Sequence, residues 1–110
     1  MKSVQWISSS RDDLSDFPID ARRDAGNQLF LVQTGLEPKD WKPMPTVGAG
    51  VNEIRVQAGG QWRVLYVAKF ANAVYVLHAF GKKTQRTSKA DIEIAAKRYV
   101  ELANALKSTK

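Results

Sequence analysis

The sequence contains no cysteine and only one histidine, His78. Disulfide bonds and thiolate zinc sites are therefore excluded, and any metal held by the protein would depend on carboxylates. The chain also lacks a Ser-His-Asp set, a paired-carboxylate site and a phosphate-binding glycine loop. We therefore expect neither a metal nor a cofactor.

Long apolar runs are also missing. The opening stretch MKSVQWISSS lacks the apolar segment of a signal peptide, and no later stretch approaches the ~20 apolar residues of a membrane span. A hydrophobic content of 44% with mixed charge is typical of a globular protein. We expect a single cytoplasmic domain, residues 1–110, with no membrane partner.

Positive charge is concentrated at the C-terminal end. The chain carries a net charge of +6, and residues 82–110 hold eight Lys/Arg against three Asp/Glu, a balance of +5. Such a field attracts polyanions such as nucleic acid, or an acidic protein surface. A solvated lysine-rich face explains the charge equally well, so charge alone leaves the function open.

The N-terminal residues predict a short strand followed by a short helix. Val4 and Trp6 alternate with polar neighbours, as in a strand. Ser10 and Asp13 have the spacing of a capping box, which predicts a helix over residues 11–16.

A second helix and a long loop come next. Pro18 suits the first turn of a helix, and Gly35 suits its C-terminal cap. Between them an apolar stripe recurs with helical spacing: Ala21, Ala25, Leu29 and Val32. Residues 36–50 are rich in proline and glycine, so we expect neither helix nor strand there. Trp41 in this loop either anchors it to the core or stacks on a base.

Residues 51–81 predict three consecutive strands, divided by turn signals at Gly59-Gly60 and Ala71-Asn72. Thr87 or Ser88 then caps a final helix. Its apolar stripe is the cleanest in the chain: Ile92, Ala95, Tyr99, Leu102 and Leu106. These elements predict an α+β fold. A small antiparallel sheet, formed by the N-terminal strand and the three-stranded meander, packs with two N-terminal helices and a C-terminal helix.

The turn at Gly59-Gly60 decides which side chains face each other. A two-residue turn places Val56 opposite Arg63, whereas a three-residue loop, with a glycine in the left-handed conformation, places Arg55 opposite Arg63. We favour the second register because it gathers the apolar residues of both strands on one face. Two arginines placed opposite each other repel, which suggests an anionic ligand between them. Alternatively, Glu53 or Gln57 neutralises and solvates them.

His78 is the remaining candidate for chemistry. A two-residue turn at Ala71-Asn72 places it opposite Leu65, on the face that carries Arg63. Imidazole titrates near neutral pH, so a proton-transfer role is one interpretation. A structural histidine is the other.

Three stretches resemble a known family: GLEPKDWKPMPTVGAGVNEIRV, WRVLYVAKF and VYVLHAFGKKTQRTSKADIEIAAKR. Together with the order of elements, they resemble the RelE/ParE toxin superfamily, and more closely its phage-derived, HigB-like branch. The resemblance implies a RelE-like fold and a toxin neutralised by a co-encoded antitoxin, which we expect to be of helix-turn-helix type. RelE members cleave mRNA in the decoding site of the ribosome.

The resemblance also implies roles for residues. Arg63 matches the arginine that contacts the scissile phosphate, Arg55 stands where RelE-type toxins place a lysine, and Lys82 and Lys83 match a basic pair. Two features depart from the pattern: Glu53 replaces a lysine of RelE, and no tyrosine is found near Lys89–Ile92. The expected catalytic and RNA-binding residues are the following: Arg63, Arg55, Lys83 and His78 for catalysis, and Lys82, Lys83, Arg86 and Lys89 for RNA.

We therefore expect a metal-independent endoribonuclease toxin whose partners are an antitoxin, the ribosome and mRNA. Two alternatives stay open. One is a non-enzymatic toxin of ParE type that acts on DNA gyrase, because one fold can serve several functions. The other is an inactive nucleic-acid-binding protein.

Overall fold

The computed structural model describes residues 1–108, which form an α+β fold with a five-stranded sheet and three helices. The predicted fold class is confirmed. The elements are β1 (Ser3–Trp6), α1 (Ser10–Ser15), α2 (Ile19–Gln33), β2 (Trp41–Pro43), β3 (Val51–Gln57), β4 (Gln61–Val67), β5 (Ala73–Gly81) and α3 (Lys89–Ser108). Residues 109–110, which belong to the expected domain, lie outside the described part.

The sheet is mixed rather than antiparallel. Its strand order is β1-β5-β4-β3-β2, with β1 parallel to β5 and the other neighbours antiparallel. The expectation that the N-terminal strand is antiparallel was wrong. No hairpin joins β1 to β5, because the chain passes from β1 into α1, and the sequence therefore carried no signal for the direction of this strand.

The edge strand β2 was also not predicted. Trp41–Pro43 pairs with β3 inside the stretch that we expected to contain neither helix nor strand. Pro43 is tolerated because it lies on the edge strand, where a missing N–H breaks few ladder bonds. Trp41 is half-buried opposite Ile54.

Helices α1 and α2 cover one face of the sheet. The predicted stripe of α2 is buried there: Ala21, Ala25, Leu29 and Val32. It packs against the apolar face that the favoured register had grouped: Ile54, Val56, Trp62, Val64 and Tyr66. Helix α2 follows Pro18 and ends before Gly35, whose φ of 90° fits the left-handed cap.

Helix α1 begins differently from the prediction. Ser10 does not cap it but lies buried within it, and its hydroxyl donates to the carbonyl of Val76 at 2.9 Å. Asp13 accepts a hydrogen bond from Arg98 at 2.7 Å instead of completing a capping box. The capping-box prediction was therefore wrong, because both side chains bind partners distant in sequence.

Helix α3 covers part of the opposite face. Ser88 caps it, since its hydroxyl accepts from the backbone N–H of Asp91 at 3.1 Å, as predicted. The predicted stripe packs against an apolar group on this face: Val51, Leu65, Val67, Leu77 and Phe80. The same face also carries polar side chains of β3 and β4, and one of them, Arg63, lies opposite Phe80. Between residues 1 and 108, no helix has both the length and the apolarity needed to cross a bilayer.

Candidate functional site

The β3–β4 hairpin places two arginines side by side. Its loop has three residues, Gly59 adopts a φ of 65°, and Arg55 pairs directly with Arg63. The favoured register is therefore confirmed. Because side chains alternate along a strand, Glu53, Arg55 and Arg63 lie on the same face.

Glu53 lies between the two arginines. Its side chain is fully buried, and its Oε1 lies 3.5 Å from Arg55 Nε and 3.6 Å from Arg63 Nε. These distances are long for hydrogen bonds, and none of the three atoms has a hydrogen-bond partner within the described residues. Glu53 Oε2 accepts from the hydroxyl of Thr87 at 3.4 Å. The interpretation that Glu53 neutralises the arginines is confirmed in part, because Glu53 forms an ion pair with each of them. One carboxylate and two guanidinium groups together carry a formal net charge of +1.

Arg63 is held firmly by its neighbours. It is buried, and its Nη1 donates to the carbonyl of Trp62 at 2.9 Å and to Gln61 Oε1 at 3.3 Å. These hydrogen bonds fix the direction of the guanidinium before any ligand binds. Burial lowers the pKa of Arg63, Glu53 opposes this shift, and Arg55 adds to it.

Four of the predicted cations meet in one open cavity of about 530 Å³. We call it the cationic cavity, and its lining residues are Arg55, Gln61, Arg63, Lys82, Lys83, Thr84 and Gln85. The backbone N–H of Lys82 donates to the carbonyl of Gln61 at 2.7 Å. This bond fixes against β4 the start of the loop over residues 82–88, which we call the basic loop. Over the part of the chain that the structure describes, this lining contains no carboxylate.

The surroundings of Lys82 weaken the binding of its proton. Burial lowers the pKa of this lysine, and Arg63, Lys42 and Arg55 lower it further, while Glu53 opposes them. An amine with a lowered pKa in a cleft is suited to proton transfer. This shift was not predictable from the sequence, because it depends on the burial of Lys82 and on the cations that surround it in the fold.

The other predicted RNA-binding residues lie outside the cationic cavity. Arg86 lines an adjoining cavity of about 210 Å³ together with Lys82 and Lys83. Lys89 is exposed in the first turn of α3, where its Nζ lies 3.8 Å from Glu93 Oε1. Lys82 and Lys83 line both cavities, so the basic loop forms a positive surface that the two cavities share, while Asp91 adds a carboxylate to the smaller one.

His78 lies opposite Leu65, as predicted, but it is buried away from the cationic cavity. Its Nε2 lies 2.7 Å from Asp91 Oδ1, and its Nδ1 lies 3.4 Å from Asp13 Oδ2. Its ring stacks on Phe80, with centroids 5.1 Å apart. The structure thus places His78 in a network that ties α1 and α3 to β5, and does not bring it together with the four cations.

The fold is compatible with that of RelE-like α+β proteins. Residues 12–100 match the family of phage-derived Gp49-like proteins (DUF891), and the chain belongs to this family, which is related to the RelE toxins. The match is consistent with a toxin-like protein in general. It includes every residue that lines the cationic cavity. Comparison with curated proteins gives no significant match.

Proposed function

We propose that this chain is the toxin of a type II toxin–antitoxin system, of the HigB-like branch, and that it cleaves mRNA on the ribosome without a metal ion. The observation that supports this most is the cationic cavity, where Arg55, Arg63, Lys82 and Lys83 surround one open space. A cavity lined by cations suits a phosphodiester, and the family relationship supports a toxin.

The reaction needs no protein nucleophile. The 2′-hydroxyl of RNA attacks the adjacent phosphorus, the bond to the 5′-oxygen of the next nucleotide breaks, and a 2′,3′-cyclic phosphate and a 5′-hydroxyl result. Negative charge builds on the phosphate oxygens in the transition state. Arg63 and Arg55 stabilise this charge, and losing one fixed donor of this kind costs ~10²–10³ in rate.

Two protons move during the reaction. Lys82, whose pKa is lowered by burial and by the neighbouring cations, accepts the proton of the 2′-hydroxyl when its amine is in the neutral form. The ammonium group of Lys83 donates a proton to the leaving 5′-oxygen. His78 takes no part, since its ring nitrogens face Asp91 and Asp13.

Positioning of the mRNA comes from outside the protein. The cationic cavity is too small to hold more than a few nucleotides, so the ribosome fixes the strand in the geometry that the reaction requires. A co-encoded antitoxin, of helix-turn-helix type, silences the toxin by covering the positive surface.

Expression of the chain without its antitoxin tests the proposal. We expect growth arrest, rapid loss of mRNA and cleaved transcripts with 5′-hydroxyl ends in primer-extension and end-labelling assays. Intact mRNA in arrested cells would contradict the nuclease.

One observation favours the ParE-type alternative: the buried position of His78 leaves the cationic cavity without an imidazole. In that case the positive surface only binds DNA gyrase, and expression produces DNA damage while mRNA stays intact. The same cultures distinguish the two functions.

A further inference from the structure

A second cavity adjoins the cationic cavity at the edge of β3. It has a volume of about 300 Å³, and we call it the edge pocket; its lining residues are Asp24, Gln28, Lys39, Asp40, Arg55 and Gln57. Arg55 lines both cavities, so the two spaces lie on either side of one guanidinium group.

The two cavities differ in charge. The cationic cavity has four basic side chains, whereas the edge pocket balances Lys39 and Arg55 against Asp24 and Asp40. A phosphate is attracted to the cationic cavity, whereas the balanced charges of the edge pocket give it no net attraction. A neutral, polar group attached to that phosphate fits the second, and a nucleobase is such a group.

The edge pocket is built from fixed groups. Gln28 is buried; its Oε1 accepts from the backbone N–H of Lys39 at 2.7 Å, and its Nε2 donates to Asp24 Oδ1 at 3.1 Å. The backbone N–H of Arg55 donates to the carbonyl of Asp40 at 2.9 Å, which holds this loop residue against β3. The carboxylate of Asp24 is thus held by Gln28, and the backbone contact of Asp40 brings its exposed carboxylate to the same pocket.

The carboxylates retain capacity for a ligand. Asp24 uses Oδ1 for Gln28, which leaves Oδ2 for a ligand, and Asp40 is exposed to solvent. Carboxylates accept hydrogen bonds from the exocyclic amino groups of bases, and the planar guanidinium of Arg55 offers a surface on which a base can stack.

We propose that the edge pocket binds a nucleobase that carries an exocyclic amino group, next to the phosphate in the cationic cavity. The inference rests on the proposed function, because it takes the phosphate site as given. Asp24 and Asp40 select cytosine, adenine or guanine over uracil, which presents a carbonyl oxygen instead of an amino group. The pocket therefore gives the enzyme a base preference at one position of the cleaved strand.

Nuclear magnetic resonance titration of the full chain with 3′-CMP, 3′-UMP and inorganic phosphate tests this. CMP and UMP differ at the position where one has an amino group and the other a carbonyl. The side-chain amide of Gln61 reports on the cationic cavity, and those of Gln28 and Gln57 report on the edge pocket. We expect phosphate to shift only the signal of Gln61, and CMP to shift all three and to bind at least about 5-fold more tightly than UMP.

Two variants isolate the carboxylates. Asp40→Asn replaces an acceptor by an amide that can donate to uracil, so the preference for CMP over UMP should fall towards one. Asp20→Asn, an exposed position one turn before Asp24 on α2, is the matched control and should keep the preference.

The outcomes separate the two proposals. If neither phosphate nor the nucleotides shift the Gln61 signal, the phosphate site of the proposed function is contradicted, and the edge-pocket proposal falls with it. If Gln61 responds but CMP and UMP bind equally, or Gln28 and Gln57 stay unshifted, only the edge pocket is contradicted. An unchanged preference in Asp40→Asn also contradicts it.

Discussion

Glu53 and Arg63 form a buried ion pair across β3 and β4, with Glu53 Oε1 3.6 Å from Arg63 Nε. The same oxygen faces Arg55, so one carboxylate holds both arginines of the cationic cavity. Removing the partner of a buried charge lowers the free energy of unfolding strongly, whereas removing the partner of an exposed charge changes it little. Arg63 therefore contributes to the stability of the fold and is also the cation that we propose to contact the phosphate.

Arg63→Ala should abolish growth inhibition and also destabilise the protein. The loss of a surface side chain usually costs ~0.5 kcal/mol at most. Arg63 is instead buried beside Glu53. We expect a loss of about 3 kcal/mol, measured by urea unfolding, since Arg55 remains as a second partner of the carboxylate.

Arg63→Lys separates function from folding. It keeps the positive charge beside Glu53 but cannot make two parallel hydrogen bonds to a phosphate. We expect a folded protein that no longer inhibits growth, and full toxicity of this variant would contradict the phosphate contact. In the double variant Arg63→Ala with Glu53→Gln, part of the lost stability should return, because the carboxylate charge is gone.

The parts of the fold that follow from local pattern were predictable. The register of β3 and β4 was fixed by the apolar residues, since a slip by one position would have turned Ile54 and Val56 to the wrong face. The stripes of α2 and α3 and the cap at Ser88 were equally local.

The rest depended on contacts between distant parts of the chain. Asp13, Asp91 and Arg98 surround His78 from two helices, and no sequence spacing brings them together. The edge pocket is similar, since it needs α2, the loop before β2 and β3 at once. The convergence of the four cations was predictable because all of them lie on or next to one hairpin and its neighbouring strand.

His78→Gln should reduce stability and leave the chemistry unchanged. Glutamine cannot bridge Asp91 and Asp13 as the imidazole does, so we expect a loss of about 1–3 kcal/mol in thermal or urea unfolding. Single-turnover cleavage by the folded variant should match the wild type. A loss of ~10² or more in that rate would instead assign proton transfer to His78. Asp13→Asn, which weakens the same network, is the matched control.

The raised pKa of Tyr66 predicts that the folded protein loses stability at alkaline pH. Burial, with a smaller effect from Glu37, raises the pKa of Tyr66 from 10.0 to about 12. Because the unfolded chain releases this proton first, the stabilising contribution is complete below pH 10 and is lost as the pH rises to about 12. Tyr66→Phe should lack this fall, which urea unfolding at several alkaline pH values measures. An equal fall in both proteins would contradict it.

Association with the antitoxin should depend on salt. The basic loop and α3 carry most of the positive charge, and charges of this kind steer an acidic partner during encounter. We expect the association rate to fall as ionic strength rises, and Arg86→Gln to weaken that dependence. Stopped-flow mixing measures both. A rate that does not change with salt would place the antitoxin on another surface.

Lys82→Arg should remove the pH dependence of cleavage. Burial and the neighbouring cations lower the pKa of Lys82 from its ordinary value of 10.5, so a growing fraction is neutral as the pH rises. If neutral Lys82 accepts the 2′-hydroxyl proton, the rate of single-turnover cleavage increases with pH in the wild type. Arginine keeps the charge but holds its proton, so the variant should be slow at every pH, by ~10² or more. Lys83→Arg, which retains an N–H donor for the leaving oxygen, should keep the rise. A rise of the same steepness in Lys82→Arg would show that another group accepts the proton.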